Sequence, residues 1–245
     1  GHDMRPSHML LASSRAVYGE GAWRDVDGTV FYPPPRSHDV LANKQWDPSS
    51  PSGGSKPSPC LHSAATVSPN PTSVYGATKL AQEHILTAWC GAMRVPLSVF
   101  RLQNVYGPGQ SPFNAYTGII TLFHRLARQG KQLEVYEDGQ IGRDFVYIDD
   151  VVSALAAGLR QVPADRRTLD VGAGVATTIY EAACTVAALH GAPAPLVCEK
   201  FRDGDVRWAV ADATGLAGAL GVKAQIPFQE GVRLVGEWLI ERGYA

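Results

Sequence analysis

Short apolar runs alternate along the chain with stretches in which apolar residues recur every three or four positions. The runs have the length of buried strands, and the periodic stretches have the spacing of one helix face. Strands alternating with helices predict an α/β protein with a mostly parallel sheet. The predicted strands are 9–14, 96–102, 133–137, 145–148, 168–172 and 194–199. The predicted helices are 115–129, 178–190, 212–220 and 229–242, together with two that begin at 73 and at 151.

The helix that begins at Ser73 has the clearest helical periodicity. Apolar residues recur there at steps of three and four positions, which predicts an amphipathic helix with one apolar stripe. That stripe consists of Ala77, Leu80, Ala81, His84, Ile85, Ala88 and Trp89.

Residues 20–72 differ in character from the rest of the chain. They include PPP at 33–35 and SSPSGGSKPSP at 49–59, with little periodicity. Such composition buries little apolar surface to offset chain entropy, so we expect a long loop, partly disordered, that forms a lid or an insertion.

The charge balance excludes several classes of partner. The chain has 23 acidic and 22 basic residues and a net charge of −1, so it carries no electrostatic signature of a nucleic-acid or anionic-membrane binder. No stretch has the apolar length of a membrane span. Its four cysteines are far apart, which indicates reduced thiols in a cytoplasmic protein and no metal site.

Tyr75 and Lys79 form the motif Y-G-A-T-K on the helix that begins at Ser73. A four-residue spacing puts both side chains on one helix face. An ammonium group beside a phenol favours the phenolate, so Tyr75 could act as a base near neutral pH. The strand end at Ser13 and Ser14 could place a hydroxyl at the same point. By spacing alone, an incidental Tyr–Lys pair on a surface helix explains the motif as well.

Four further segments join this one in a fixed order. They are S-S-R-A-V-Y-G (13–19), R-L-Q-N-V-Y-G-P-G-Q (101–110), G-R-D-F-V-Y-I-D-D-V (142–151) and R-D-G-D-V-R (202–207). Together with 73–83 they resemble the extended short-chain dehydrogenase/reductase family, in its nucleotide-sugar epimerase/dehydratase branch. The resemblance implies a Rossmann-type parallel sheet, a smaller substrate-binding α/β domain and an NAD cofactor.

The resemblance also implies roles for individual residues. Tyr75 is the acid/base, Lys79 contacts the nicotinamide ribose, and Ser14 bonds the sugar hydroxyl. Gln103 stands where the family often has an aromatic residue beside the nicotinamide, so its assignment to the cofactor departs from the family pattern. The substrate side is a nucleotide-diphosphate sugar, bound by Asn104, Arg143 and Arg202 together with Ser14; guanidinium groups suit a diphosphate because they bind phosphate oxygens in pairs.

Arg15 and Ala16 narrow the reaction. Family members that dehydrate the sugar usually carry Asp-Glu at these two positions, so a dehydratase is excluded and a 4-epimerase is the expected activity. The alternatives are a non-catalytic sugar-nucleotide-binding fragment or partner subunit, and a reductase of 4-keto sugars. The base (UDP, dTDP or GDP), the sugar and the oligomeric state, including a homodimer, stay open.

The resemblance places a glycine-rich NAD-binding turn well before the serine motif, and no such turn precedes Ser13. We therefore expect a truncated Rossmann part at 1–106, containing the insertion, and a mainly substrate-binding part at 107–245, with 143–172 returning to the Rossmann core; whether such a chain is active alone stays open. Gly172 and Gly174 imitate a phosphate-binding loop, but the third glycine is absent, so we predict a structural turn there.

Overall fold

The structure is a computed structural model that describes residues 5–53, 56–112 and 118–244. Its helices are α1 (His38–Ala42), α2 (Val74–Met93), α3 (Ile119–Arg128), α4 (Ile148–Arg160), α5 (Ile179–His190), α6 (Thr214–Leu220) and α7 (Phe228–Glu241), with a short 3-10 helix at Arg15–Tyr18. Part of the predicted helix 115–129 lies outside the described residues. The remainder is α3, and every other predicted helix is present.

The strands are short except where they form the two main sheets. They are β1 (Met9–Ser14), β2 (Trp23–Arg24), β3 (Val30–Phe31), β4 (Ser58–Pro59), β5 (Leu97–Leu102), β6 (Asn104–Tyr106), β7 (Glu134–Val135), β8 (Gly142–Tyr147), β9 (Arg166–Val171), β10 (Ala176–Thr178), β11 (Leu196–Val197) and β12 (Trp208–Ala209).

The first main sheet is parallel and has the order β1-β5-β9. Ser14 pairs with Leu102, and Leu102 pairs with Val171, so the three strands end at the same level. Parallel strands present their carboxyl ends, and the loops that follow, along one edge where ligands of α/β proteins usually bind. This edge therefore carries Ser14, Gln103 and Gly172.

The second main sheet is organised around β8. Its first half pairs with β10 and β12, and its second half pairs with β6. Arg143 lies opposite Thr177 on one neighbour and opposite Ala209 on the other. Helices α3, α5 and α7 pack against this sheet around a buried apolar core, so Arg143 is held in a rigid part of the molecule.

The described part of residues 20–72 is mostly loop, as expected, but it contains short strands and a helix that the composition did not predict. Strands β2, β3 and β4 form a small antiparallel sheet, and Ser37 caps α1 by accepting a hydrogen bond from the Val40 N–H. Trp23 is buried and donates its indole N–H to the carbonyl oxygen of Glu20 at 3.1 Å. The Pro- and Ser-rich composition conceals these few, widely spaced buried residues.

The predicted apolar stripe of α2 is also not the buried face of that helix. Ile85 is 66% exposed and Trp89 is 41% exposed, whereas the buried residues of α2 are Gly76, Glu83 and Cys90. Glu83 faces inward because buried partners pair with its carboxylate. Across the described residues, no helix has the length and apolar character needed to cross a membrane.

Candidate active site

The close packing of two segments brings the start of α2 to the end of β1. Ser73 caps α2 by accepting a hydrogen bond from the Gly76 N–H at 3.1 Å. A Cβ atom at Gly76 would overlap the backbone carbonyl of Ala16, so only glycine permits this approach. Tyr75 is thereby brought beside the segment that contains Ser14.

Tyr75, Lys79 and Ser14 surround the carboxyl end of β1. The Lys79 ammonium group donates a hydrogen bond to the carbonyl oxygen of Ala12 at 3.1 Å, two residues before Ser14. The Ser14 hydroxyl oxygen accepts from the Ala16 N–H at 3.2 Å. Tyr75 is 56% exposed, so its phenol is accessible from solvent. The structure thus gathers the three residues at one place, and their chemical roles remain predictions.

A cavity of about 500 Å³ opens next to this strand end. Three of the predicted substrate-binding residues line it: Asn104, Arg143 and Arg202. Its polar lining also includes Arg15, Tyr136 and Asp205, which sequence reasoning did not assign to the substrate. Within the described chain, Ser14, Tyr75, Lys79 and Gln103 are not among the lining residues.

Arg15 links the cavity to the candidate catalytic serine, because it lines the cavity and follows Ser14 directly. The charges of Asp205, Glu20 and Tyr75 act on it, in that order of strength, although burial is the largest influence and leaves the pKa of Arg15 below its usual value. The sequence did contain a signal for this position, since Arg15 replaces the acidic residue that dehydratases carry.

Arg143 is a second cation in the cavity wall, and it is buried, whereas Arg15 is half-buried. Its guanidinium donates to the carbonyl oxygens of Gly142 and Val206, both at 2.8 Å. Burial, followed by the nearby charge of Arg15, lowers the pKa of Arg143 to about 9. Two cations that destabilise each other's charge favour a bound anion, because an anion would relieve both effects.

The other predicted arginine, Arg202, also lines the cavity. Arg202 is exposed, and its guanidinium carbon lies 5.2 Å from the centre of the Tyr136 ring. A guanidinium on an aromatic face keeps its hydrogen-bond donors free at the edges. The arginine is therefore available to an anion in the cavity.

Gln103 and Asn104 contribute side-chain amides at the end of β5. Gln103 is 5% exposed, and neither polar atom of its amide has a hydrogen-bond partner among the described residues. The Asn104 side-chain oxygen is likewise buried and unpartnered there. Since a buried polar group without a partner costs free energy, such groups are a common sign of a ligand site.

The glycine pair at residues 172–174 forms a structural turn, as predicted. The carboxylate of Asp144 accepts hydrogen bonds from the N–H groups of Ala173 at 2.7 Å and Gly174 at 3.0 Å. A Cβ atom at Gly172 would overlap this carboxylate. The donors that a phosphate would need are already used by Asp144, so the turn has no phosphate-binding capacity.

Comparisons with known proteins show the family to which the chain belongs. Residues 49–172 match the NAD dependent epimerase/dehydratase family, and the chain belongs to that family. The structure is similar to a UDP-glucose 4-epimerase of Thermus thermophilus in complex with NAD (TM-score 0.69, 26% identity, 98% of this chain and 65% of that one). It is also similar to MoeE5 in complex with UDP-glucose and NAD (TM-score 0.73, 27% identity, 98% and 66%).

Among curated relatives, the chain is 50% identical over 240 residues to a dTDP-L-rhamnose 4-epimerase of Burkholderia thailandensis. The match covers 98% of this chain and 64% of that relative. The fold class and the NAD-dependent family predicted from the motifs are therefore confirmed. Because the chain spans less than two thirds of this relative's length, the activity of the whole protein is a matter for proposal.

Proposed function

We propose that the natural full-length protein is an NAD-dependent nucleotide-sugar 4-epimerase, with dTDP-6-deoxyhexoses such as dTDP-L-rhamnose as its substrate class. One structural observation carries the proposal: Asn104, Arg143 and Arg202 meet in a single cavity next to the strand that ends at Ser14. The name of the relative from Burkholderia thailandensis supports the choice of substrate.

The cavity suits the diphosphate part of such a substrate. Arg143 is fixed by two backbone carbonyls, and Arg202 is supported by the Tyr136 ring, so both cations are oriented before a ligand arrives. Charge-assisted hydrogen bonds from guanidinium to phosphate are strong and directional. An epimerase needs a firmly held diphosphate and a loosely held sugar, because the keto sugar must rotate to present its opposite face.

Tyr75 acts on the sugar C4 hydroxyl in this proposal. In the forward direction its phenolate accepts the hydroxyl proton, and it donates a proton back to oxygen once the configuration is inverted. Lys79 lies one helical turn further along α2, on the same side of the helix as Tyr75. Ser14 hydrogen-bonds the same sugar oxygen and fixes its position.

The residues at the end of β5 fit the cofactor of the family. NAD, when bound, would supply the two-electron oxidant and reductant that inversion at C4 requires. The unpartnered Gln103 amide has one donor and one acceptor function, which matches the carboxamide of a nicotinamide. Lys79 and Tyr75 would complete the contacts with the nicotinamide ribose.

The proposal is tested first by calorimetric titration of this chain with dTDP and with dTMP. The proposal predicts that dTDP binds more tightly, because the second phosphate reaches the arginines. Arg202→Ala should then lose about 1.5–3 kcal/mol of dTDP affinity, the value of hydrogen bonds to charged groups. The matched control is Arg242→Ala, an exposed arginine outside the cavity, which should leave both affinities unchanged.

Three outcomes distinguish the candidate functions. Equal affinity for dTDP and dTMP would contradict the diphosphate site. Nucleotide-sugar binding without NADH-dependent fluorescence change in the full-length protein would favour a non-catalytic binding protein. Consumption of one NADH or NADPH per turnover of a 4-keto sugar would favour the reductase.

A further inference from the structure

The segment 20–72 is joined to the C-terminal half by a lattice of buried charges. Glu20 and Arg36 come from one side, and Glu137 and Arg207 come from the other; each residue is at most 8% exposed. Arg36 contacts Glu20 at 3.3 Å and Glu137 at 2.9 Å. Arg207 contacts the same oxygen of Glu137 at 3.2 Å and donates its backbone N–H to Glu20 at 2.8 Å.

Arg36 has a further contact that points to the substrate cavity. Its second terminal nitrogen donates to the carbonyl oxygen of Asp205 at 2.7 Å. Asp205 closes a turn by donating its N–H to the carbonyl oxygen of Arg202 at 3.3 Å, and both residues line the cavity. Arg36 is thus attached directly to the turn that presents Arg202.

A buried lattice of charges is often no more stable than an apolar core of the same volume, so its retention here is consistent with a positional role. Buried ion pairs recover their desolvation cost only when the geometry is good. Glu137 also adopts a left-handed backbone conformation, with φ of 52°, which is unfavourable for a residue other than glycine. Both unfavourable features, the buried ion pairs and the backbone conformation of Glu137, lie around one turn of the cavity wall.

Arg36 is one of the two cations of the lattice, and Glu20 would lose its ion-pair partner with it. Arg207 retains carboxylate partners without Arg36, since it also contacts Asp47 at 2.8 Å and Asp138 at 2.7 Å. Glu137 retains Arg207, and Glu20 retains the Arg207 N–H. Two attachments of Arg36 to the backbone would be lost without a substitute: its hydrogen bonds to the carbonyl oxygen of Trp46 at 2.9 Å and to that of Asp205 at 2.7 Å. The second of these reaches the turn that presents Arg202.

We propose that Arg36 is a positioning residue for diphosphate binding: the segment 20–72 holds the turn of residues 202–205 against the cavity, so that Arg202 meets the second phosphate. The inference rests on the proposed function. It gives the segment a defined contribution to substrate selection, in place of a loosely attached lid.

The test compares dTDP and dTMP affinities in Arg36→Gln, Arg36→Lys and a control, Arg24→Gln. Arg24 belongs to the same segment but is exposed, and its guanidinium donates to the carbonyl oxygen of Gly28. Arg36→Gln should weaken dTDP binding about tenfold, the effect of one lost charge-assisted contact, while dTMP affinity changes less than about twofold. The dTDP affinity of Arg36→Lys should lie between those of the wild type and Arg36→Gln, and the dTDP affinity of Arg24→Gln should equal that of the wild type.

A double-mutant cycle with Arg202→Ala separates positioning from general destabilisation. If Arg36 acts through Arg202, the variant Arg36→Gln/Arg202→Ala binds dTDP no more weakly than Arg202→Ala alone. Additive losses, equal losses for dTDP and dTMP, or loss of folding in both Arg36 variants would overturn the inference. If the wild type itself shows no preference for dTDP, the proposed function fails; if the preference survives Arg36→Gln, only this inference fails.

Discussion

The hydroxyl of Ser13 donates a hydrogen bond to the carboxylate of Glu83 at 2.5 Å, although 70 residues separate them. Ser13 precedes the candidate catalytic serine on β1, and Glu83 lies one helical turn beyond Lys79 on α2. This contact therefore fixes the strand that carries Ser14 against the helix that carries Tyr75 and Lys79.

Arg101 of β5 completes the contact and makes Glu83 important for stability. Its guanidinium donates to both oxygens of Glu83, at 3.1 and 2.8 Å. Glu83→Ala should destabilise the chain by about 3–5 kcal/mol, because it leaves Arg101 buried without a carboxylate. Glu83→Gln, which keeps acceptor and size, should cost less. Urea unfolding followed by circular dichroism measures both, and a loss below about 1 kcal/mol for Glu83→Ala would contradict the account.

Tyr75→Phe tests the acid/base assignment in the natural full-length protein. Removal of the phenolic hydroxyl should lower the turnover number by at least about 10²-fold, the usual contribution of general acid–base catalysis. The dTDP affinity should stay unchanged, since Tyr75 does not line the cavity with Arg143 and Arg202. Steady-state kinetics measure the turnover number and calorimetry measures the dTDP affinity of both proteins. An unchanged turnover number would show that Tyr75 is not the acid/base.

His124, the buried histidine of α3, should contribute to the pH dependence of the free energy of unfolding. Burial, and next the neighbouring His190, lower the pKa of His124 to about 4. The unfolded chain binds a proton at His124 below about pH 6.5 and the folded chain does not, so stability is lost as the pH falls from 6.5 towards 4. Between pH 7 and 5 this amounts to about 2 kcal/mol.

His124→Gln should remove that part of the pH dependence. The difference between variant and wild type isolates this residue from others, such as Asp170, whose pKa burial raises to about 6 and whose effect on stability has the opposite sign. His84→Gln, at an exposed position of α2, is the matched control. Urea midpoints at pH 7 and 5 provide the measurement, and parallel curves for His124→Gln and wild type would contradict the assignment.

The sequence predicted the parallel sheet and the family because both depend on local signals. Strands β1 and β5 are short, mostly apolar segments, and five ordered motifs identify the family. The buried face of α2 was not predictable in this way. Glu83 and Gly76 are inward for reasons that hydrophobic periodicity ignores, namely a distant ionic partner and a close backbone approach.

The role of residues 20–72 was hidden for a similar reason. Arg36 is 101 residues from Glu137 in sequence, and one isolated arginine in a Pro-rich segment has the appearance of a solvated charge. Its pairing depends on the packing of two remote segments. Arg15 stood within a motif that the sequence reasoning did use, but only the cavity connects it with Arg143 and Arg202.

The most direct measurement follows the C4 hydrogen of the sugar during turnover. The natural full-length protein is incubated with dTDP-L-rhamnose deuterated at C4, without added NADH, and the products are followed by NMR. The account predicts the C4 epimer with its deuterium retained, because the hydride removed is the hydride returned. Absence of the epimer, or an epimer whose C4 deuterium has exchanged with solvent hydrogen, would contradict it.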